Sequence, residues 1–274
     1  MSAASQHLKL GEKKAKKIIQ AKVRDLRSYF RKFGFKNGII GLSGGLDSAV
    51  ACVLAVKALG DQNVIVVLMP YQGIGDSKGI VDALKLAKNL KIPKKNILIV
   101  PVNKAVDTSW SLLKKYKGKE KIRFGNLMAR ERMKILFDLS QVFKAIVIGT
   151  ENRTEEELGY YTLWGDQASG LEPIKNLWKT QIYEITTFLP EIPKEILEKS
   201  PSPGLWKNQT AEKELGFSYF EADIVLSAFL DLKMKPKEVE KKFRMPKKKI
   251  DLILAKAKIG EIKRKVPYIL KNQK

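Results

Sequence analysis

The sequence predicts an α/β protein: a doubly wound parallel sheet covered by helices, with a helical extension towards the C-terminus. Three observations point there. Short apolar runs rich in β-branched residues recur at 38–42, 64–69, 97–100 and 145–148, each too short for a helix. Segments with helical spacing of apolar residues separate them, as in βαβ units whose sheet is buried on both faces. The first run also opens into a glycine- and serine-rich turn, 41–48, ahead of a helical segment.

Residues 12–33 place Ile19, Val23, Leu26 and Phe30 at spacings of four, three and four, an amphipathic helix closed by Gly34. The first strand leads through the turn into a helix at about 47–59. The second is followed by a glycine-rich loop and a helix at 77–90. The third precedes helices at about 104–116 and 123–143, and the fourth ends at Ile148. Right-handed crossovers put such helices on both faces. A ligand is expected beyond the carboxyl ends of the strands, after Leu42, Met69, Pro101 and Ile148. Beyond Gly159 the pattern changes. Residues 160–173 and 201–209 read as loops, and 217–258 as short helices broken at Pro236 and Pro246. No repeat or low-complexity tract divides the chain. We therefore expect one domain over 1–274, an α/β core at 12–190 carrying a helical extension at 191–274.

An apolar fraction of 44% over 274 residues is enough for a sizeable core. No apolar run reaches the length of about 18 residues that a membrane helix needs. Residues 1–17 are polar and lysine-rich, without the apolar stretch of a secretory leader. The one cysteine, Cys52, excludes an intramolecular disulfide and a cysteine metal cluster. A cytoplasmic protein is the expectation. The net charge of +23 is carried mostly by lysines scattered along helical segments, with only nine arginines. That reads as solvated faces whose field suits an anionic substrate, more than as a nucleic-acid surface. His7, in a polar tail, and Cys52, in an apolar helix, carry no expected chemistry.

The strongest chemical signal is Gly41-Leu42-Ser43-Gly44-Gly45-Leu46-Asp47-Ser48, between strand and helix. Gly44 and Gly45 permit tight turning and close approach of the backbone. Main-chain N–H groups at the helix N-terminus then face an anion. Ser43 and Ser48 add hydroxyls, and Asp47 is placed to hold a magnesium ion bridging phosphates. A plain helix cap would need one such polar residue, and this turn has three plus a glycine pair. It is neither a Walker A loop nor a dinucleotide fingerprint.

Ser43-Gly44-Gly45-Leu46-Asp47-Ser48 resembles the pyrophosphate loop of the ATP pyrophosphatases, a class that includes NAD, GMP and asparagine synthetases and tRNA-modifying enzymes. Further segments narrow the resemblance to ammonia-dependent NAD synthetases. They are Gly125-Asn126 with Ala129-Arg130 and Arg132-Met133, then Gly149-Thr150 with Asn152 and Glu155, then Gly165-Asp166. Pro173-Ile174, Lys179-Thr180-Gln181 and Pro201-Ser202-Pro203-Gly204 follow in the family's order, over residues from about 15 to 267.

That resemblance implies a Rossmann-like fold of the adenine nucleotide alpha-hydrolase type. It implies ATP-dependent amidation of deamido-NAD to NAD through an acyl-adenylate, releasing AMP and pyrophosphate. It assigns Gly41 to Ser48 to the ATP phosphates, Asp47 and Glu155 to magnesium, and Thr150, Lys179 and Ser202 to ATP. Arg130 and Lys263 would contact deamido-NAD, and Asp166 would help hold ammonia. Asp47, Lys179 and Asp166 are the expected catalytic set. A homodimer is implied as well. The length leaves no room for an attached glutaminase domain of the nitrilase type, so free ammonia, or ammonia from a separate protein, is the expected nitrogen donor.

The chain departs from the family pattern at Leu163, Gln167, Gly170 and Ile262. Leu163, Gly170 and Ile262 stand where the family has polar residues on the deamido-NAD side. The alternatives are an adenylating ligase for a different carboxylate, a pyrophosphate-loop RNA-modifying enzyme, or a nucleotide-binding protein without catalysis. The Cys-x-x-Cys pair often found in the RNA-modifying members is absent.

Overall fold

Strands β1 (Asn37–Gly41), β2 (Val64–Leu68), β3 (Ile97–Ile99) and β4 (Ala145–Ile148) form one parallel sheet in the order β3-β2-β1-β4. The computed structural model describes residues 6–72, 77–206 and 208–270. The glycine-rich loop expected after β2 falls partly outside them. Helix α1 (Gly11–Lys32) precedes β1, and α2 (Leu46–Leu59) joins β1 to β2. Helix α3 (Ser77–Asn89) joins β2 to β3, and α4 (Asn103–Leu113) and α5 (Glu120–Val142) join β3 to β4.

Period-two alternation along the strands divides the core in two. Ile40, Val64, Val66, Leu68 and Ile148 pack with Ala15, Ile19, Leu26 and Phe30 of α1 and with α2. Ile39, Ile65, Val67, Ala145 and Val147 point the other way, towards Ile135, Leu136 and Leu139 of α5. Cys52 is buried within α2, and burial pushes its thiol up to about 12. A thiol held neutral among apolar neighbours acts as a small hydrophobe.

After β4 come α6 (Arg153–Leu158), α7 (Lys179–Thr186), α8 (Lys194–Leu197), α9 (Ala211–Leu215), α10 (Tyr219–Leu230), α11 (Pro236–Phe243) and α12 (Lys247–Arg264). Leu158, Trp178, Leu215, Phe217, Val225, Val239 and Ile253 make a second apolar cluster here, joined by Leu8 from the N-terminal segment. His7 Nε2 lies 2.7 Å from Ser227 Oγ of α10, so the tail that looks idle in the sequence crosses the extension. The helical stretch is broken at Pro236 and Pro246, as the sequence suggests, and each proline opens the helix that follows the break. Pro236 is the first residue of α11 and Pro246 caps α12, where a fixed φ suits helix entry and a missing N–H costs no intrahelical bond. Helix α12 therefore continues past residue 258 to Arg264.

Helix α12 docks on the end of α6 through two glycines. A Cβ on Gly260 would lie 2.7 Å from the Gly159 nitrogen and 2.7 Å from the Leu158 carbonyl carbon, both backbone atoms. Gly260→Ala is expected to lower stability by about 1–3 kcal/mol through overpacking. The readout is the denaturation midpoint at unchanged slope. An unchanged midpoint would refute so close an approach.

Among the described residues no helix is long and apolar enough to cross a membrane. The chain leaves β1 towards β2 and returns as β4 on the opposite side of β1. At such a reversal the loops after the two adjacent strands part and open a crevice.

Candidate active site

The turn after β1 forms one wall of that crevice. Leu42 N donates to Val67 O at 3.0 Å, extending the ladder past the strand end. Ser48 Oγ donates to Gly45 O at 3.0 Å and lies 3.0 Å from Ser43 Oγ, while Gly45 N donates to Ser43 Oγ at 3.2 Å. The two hydroxyls thus hold the turn's shape from within. Gly45 caps α2 without a side-chain bond, leaving the first amides of the helix to face the crevice.

Asp47, in the first turn of α2, and Lys179, at the start of α7, form an ion pair across the opening. The Lys179 side chain is 4% exposed, and its ammonium lies 5.3 Å from the Tyr219 ring centre. Burial alone would lower its pKa, but Asp47 and Glu155 outweigh burial and hold it above the ordinary value. Asn152 Nδ2 donates to Asp47 Oδ1 at 3.3 Å from the loop after β4. The Asn152 side chain also accepts from Glu155 N at 3.0 Å, and Glu155 Oε2 accepts from Asn152 N at 3.4 Å. This capping box starts α6. Glu155 Oε1 accepts from Tyr219 at 3.2 Å. Burial, then Asp47, push the Glu155 carboxyl up to about 8. Two carboxylates pressed together beside one lysine are a site that a cation would relax.

Asp166 lies in the segment after α6 and is exposed at its edge, its Oδ1 accepting from Thr162 N at 2.8 Å. Loss of water around the carboxyl raises its pKa, against the Thr162 amide and the charges of Lys263 and Arg132. A carboxylate of raised pKa is a better proton acceptor. Lys263 comes from α12, but its ammonium is bound to main chain, donating to Gly159 O at 2.7 Å and Tyr161 O at 2.5 Å. Arg130 is exposed on α5, with Nε donating to Leu163 O at 3.3 Å. Both cations therefore brace the 159–166 segment.

The loop from Gly41 to Ser48, Asp47, Lys179 and Glu155 come together, and Thr150 lies in the segment that joins β4 to Asn152. Ser202 makes no bond to them: it is exposed, and its hydroxyl accepts from Gly204 N at 3.1 Å. Several supporting residues are not singled out by sequence reasoning. Asn152 ties Asp47 to Glu155, and its Asn-x-x-Glu spacing was the available signal. Asp223 of α10, fully buried, accepts from Thr154 Oγ1 and from Thr180 N at 2.7 Å, locking α6 to the start of α7. Arg132 Nε donates to Met69 O at 3.0 Å. Nothing in an apolar helix distinguishes Asp223 beforehand.

Comparison with known proteins adds a consistent pattern. The NAD synthase family model matches residues 18–267. The chain is 40% identical over 256 residues to an NH(3)-dependent NAD(+) synthetase of Fusobacterium nucleatum, covering 93% of this chain and 96% of that one. It is 39% identical over 239 residues to one from Pyrococcus furiosus, covering 87% and 90%. Among solved structures, an NMN synthetase from Francisella tularensis superposes with a TM-score of 0.81 at 32% identity, covering 94% of this chain and 99% of that one. An NH3-dependent NAD synthetase from Campylobacter jejuni gives 0.76 at 28%, covering 94% and 99%.

Proposed function

The chain belongs to the NAD synthase family, and from that premise we propose that it forms NAD from deamido-NAD, ATP and free ammonia. The observation that carries this reading is the Asp47–Lys179–Asn152–Glu155 constellation beside the phosphate turn. In the proposed reaction the acceptor carboxylate attacks the α-phosphorus of ATP and pyrophosphate departs. The turn's amides and Lys179 take up the developing charge, so catalysis is positioning and electrostatics. Thr150 and Ser202 are assigned to ATP, Arg130 and Lys263 to the acceptor side. Ammonia then attacks the acyl carbon, AMP leaves, and Asp166 accepts the proton.

Magnesium belongs to the proposal. Asp47 and Glu155 suit it, since their crowded charges call for a cation. Among the described residues no three His, Cys, Asp or Glu gather into a metal cage. A magnesium ion held by one or two carboxylates takes its other ligands from phosphates and water, and would neutralise charge on the pyrophosphate. A homodimer and a cytoplasmic location complete the reading. Exposed apolar side chains on α4 and α5, among them Leu112, Ile122 and Phe137, support the former.

The test is incubation with deamido-NAD, ATP, magnesium and ammonium, following NAD by chromatography and pyrophosphate in parallel. Equal yields of the two are expected. Pyrophosphate without NAD would overturn the acceptor.

A second reading has its own support. Leu163 and Ile262 are apolar and Gly170 has no side chain, and the chain resembles a protein named an NMN synthetase. The corresponding acceptor is nicotinate mononucleotide, which lacks the AMP half of deamido-NAD and needs fewer polar contacts. A kcat/KM favouring the mononucleotide by about tenfold or more would establish it.

A further inference from the structure

Helix α10 belongs to the C-terminal extension, yet its polar side chains reach two elements of the phosphate site. Tyr219, Asp223 and Ser227 recur every fourth residue along it, and Asp231 ends it one turn later, so the four form one stripe. Around the stripe the helix is apolar, with Ala222, Ile224, Val225 and Leu226 buried. The stripe meets three consecutive residues at the start of α6, in reverse order. Tyr219 donates to Glu155 Oε1 at 3.2 Å, Asp223 Oδ1 accepts from Thr154 Oγ1, and Asp231 Oδ2 accepts from Arg153 Nη1 at 3.1 Å. It meets the start of α7 as well. Asp223 Oδ2 accepts from Thr180 N at 2.7 Å, and Asp231 Oδ2 accepts from Trp178 Nε1 at 3.1 Å. Ser227 bonds back to the Asp223 carbonyl.

Thr154 is the joint between the two helices. Its hydroxyl accepts from Lys179 N at 2.9 Å while donating to Asp223. Asp223 and Thr154 are both fully buried. Asp223 thus fixes the main chain beside two working side chains. Thr154 precedes Glu155, and Thr180 follows Lys179, whose own amide Thr154 holds. An apolar residue would dock α10 without the penalty of taking a carboxylate out of water. A carboxylate offers two acceptor oxygens, one for each helix, which an apolar side chain does not.

We propose that Asp223 is a positioning residue for the phosphate chemistry: through the Thr154 hydroxyl it sets the spacing of the Lys179 ammonium and the Glu155 carboxylate. The proposal rests on the adenylating reading, and its test lets either fail alone. Thr154→Val removes the joint at nearly the same size. Its kcat for acceptor-dependent ATP–pyrophosphate exchange should fall about tenfold to a hundredfold, the scale of a displacement of about 1 Å. The KM for the acceptor should not change, because none of these bonds involves Arg130 or Lys263. Thr154→Ser keeps the hydroxyl and should restore the rate. Asp223→Asn leaves one acceptor oxygen for two donors, so it should lose rate as Thr154→Val does. Asp231→Asn loosens the same helix at its exposed end and should lower the denaturation midpoint with kcat kept. A wild-type kcat in Thr154→Val, no rescue by Thr154→Ser, or an equal loss in Asp231→Asn overturns the proposal.

A second arm needs no acceptor. The affinity for ATP with magnesium, read by calorimetry, should fall in Thr154→Val and return in Thr154→Ser. Equal affinities across the series overturn the role of Asp223. That pattern of loss and rescue in a protein that forms no amide would sink the amidation reading and leave the role of Asp223 standing.

Discussion

Asp47→Asn is expected to reduce amide formation by about a hundredfold to a thousandfold, the usual loss when one preorganised charge-stabilising group is removed. Asparagine keeps the size of Asp47, but its one amide oxygen can accept from Asn152 or from Lys179 and not from both, so the charge and one hydrogen bond are lost while the shape is kept. The effect should fall on pyrophosphate release as much as on NAD, because Asp47 faces the phosphate side and not the acyl carbon. Asp47→Ala should show the same kinetic loss with added instability. It would strip the partner from a lysine that is 4% exposed, and breaking a buried pair costs about 3–5 kcal/mol. Glu155 stands near enough to take over part of that charge, so the loss should be smaller and the fold retained. Pre-steady-state pyrophosphate release and circular dichroism read the two effects apart. Near-wild-type turnover in Asp47→Asn would remove Asp47 from the metal and phosphate assignment.

Gly44→Ala should be nearly as damaging by a different route. Gly44 has φ +75°, and an added Cβ would lie 2.2 Å from the Gly79 carbonyl oxygen in α3. Left-handed backbone on a residue with a side chain costs on the order of 1–3 kcal/mol. The clash is with main chain, so the turn itself must shift. A displacement of about 1 Å at a phosphate site can cost about a hundredfold in rate. Gly45→Ala supplies the control. Its backbone is extended, at φ −93°, and an added Cβ meets only Ser43 Oγ, at 3.2 Å. ATP affinity by calorimetry should collapse for the first variant and fall modestly for the second. Equal affinities would mean that the turn does not hold the phosphates.

The parts of this site that were legible in the sequence are those with a strong local pattern. The phosphate turn is read from eight consecutive residues, and the four strands from short β-branched runs. The C-terminal half was harder. Pro246 has the same letter whether it stops a helix or starts one, and only the packing of Ile250 and Ile253 against the second cluster decides. Lys263 reads as a substrate cation by resemblance, yet its ammonium bonds to Gly159 and Tyr161 carbonyls, contacts that span about a hundred residues. Asp223 is an acid in an apolar helix, and its partners, Thr154 and Thr180, are distant in sequence. Non-local pairing of polar groups leaves no periodic trace.

The strand order carries a consequence for how the molecule is made. The phosphate turn and the Asn152–Glu155 cap meet only because β1 pairs with β4, as Ile40 does with Ile148. That closure joins distant parts of the chain, and such contacts are entropically slow to form. Nucleotide affinity should therefore emerge late in refolding, after the β1–β2 pairing has been made. A nucleotide added during refolding would then act as a trap for finished molecules, drawing the population towards the native state by mass action.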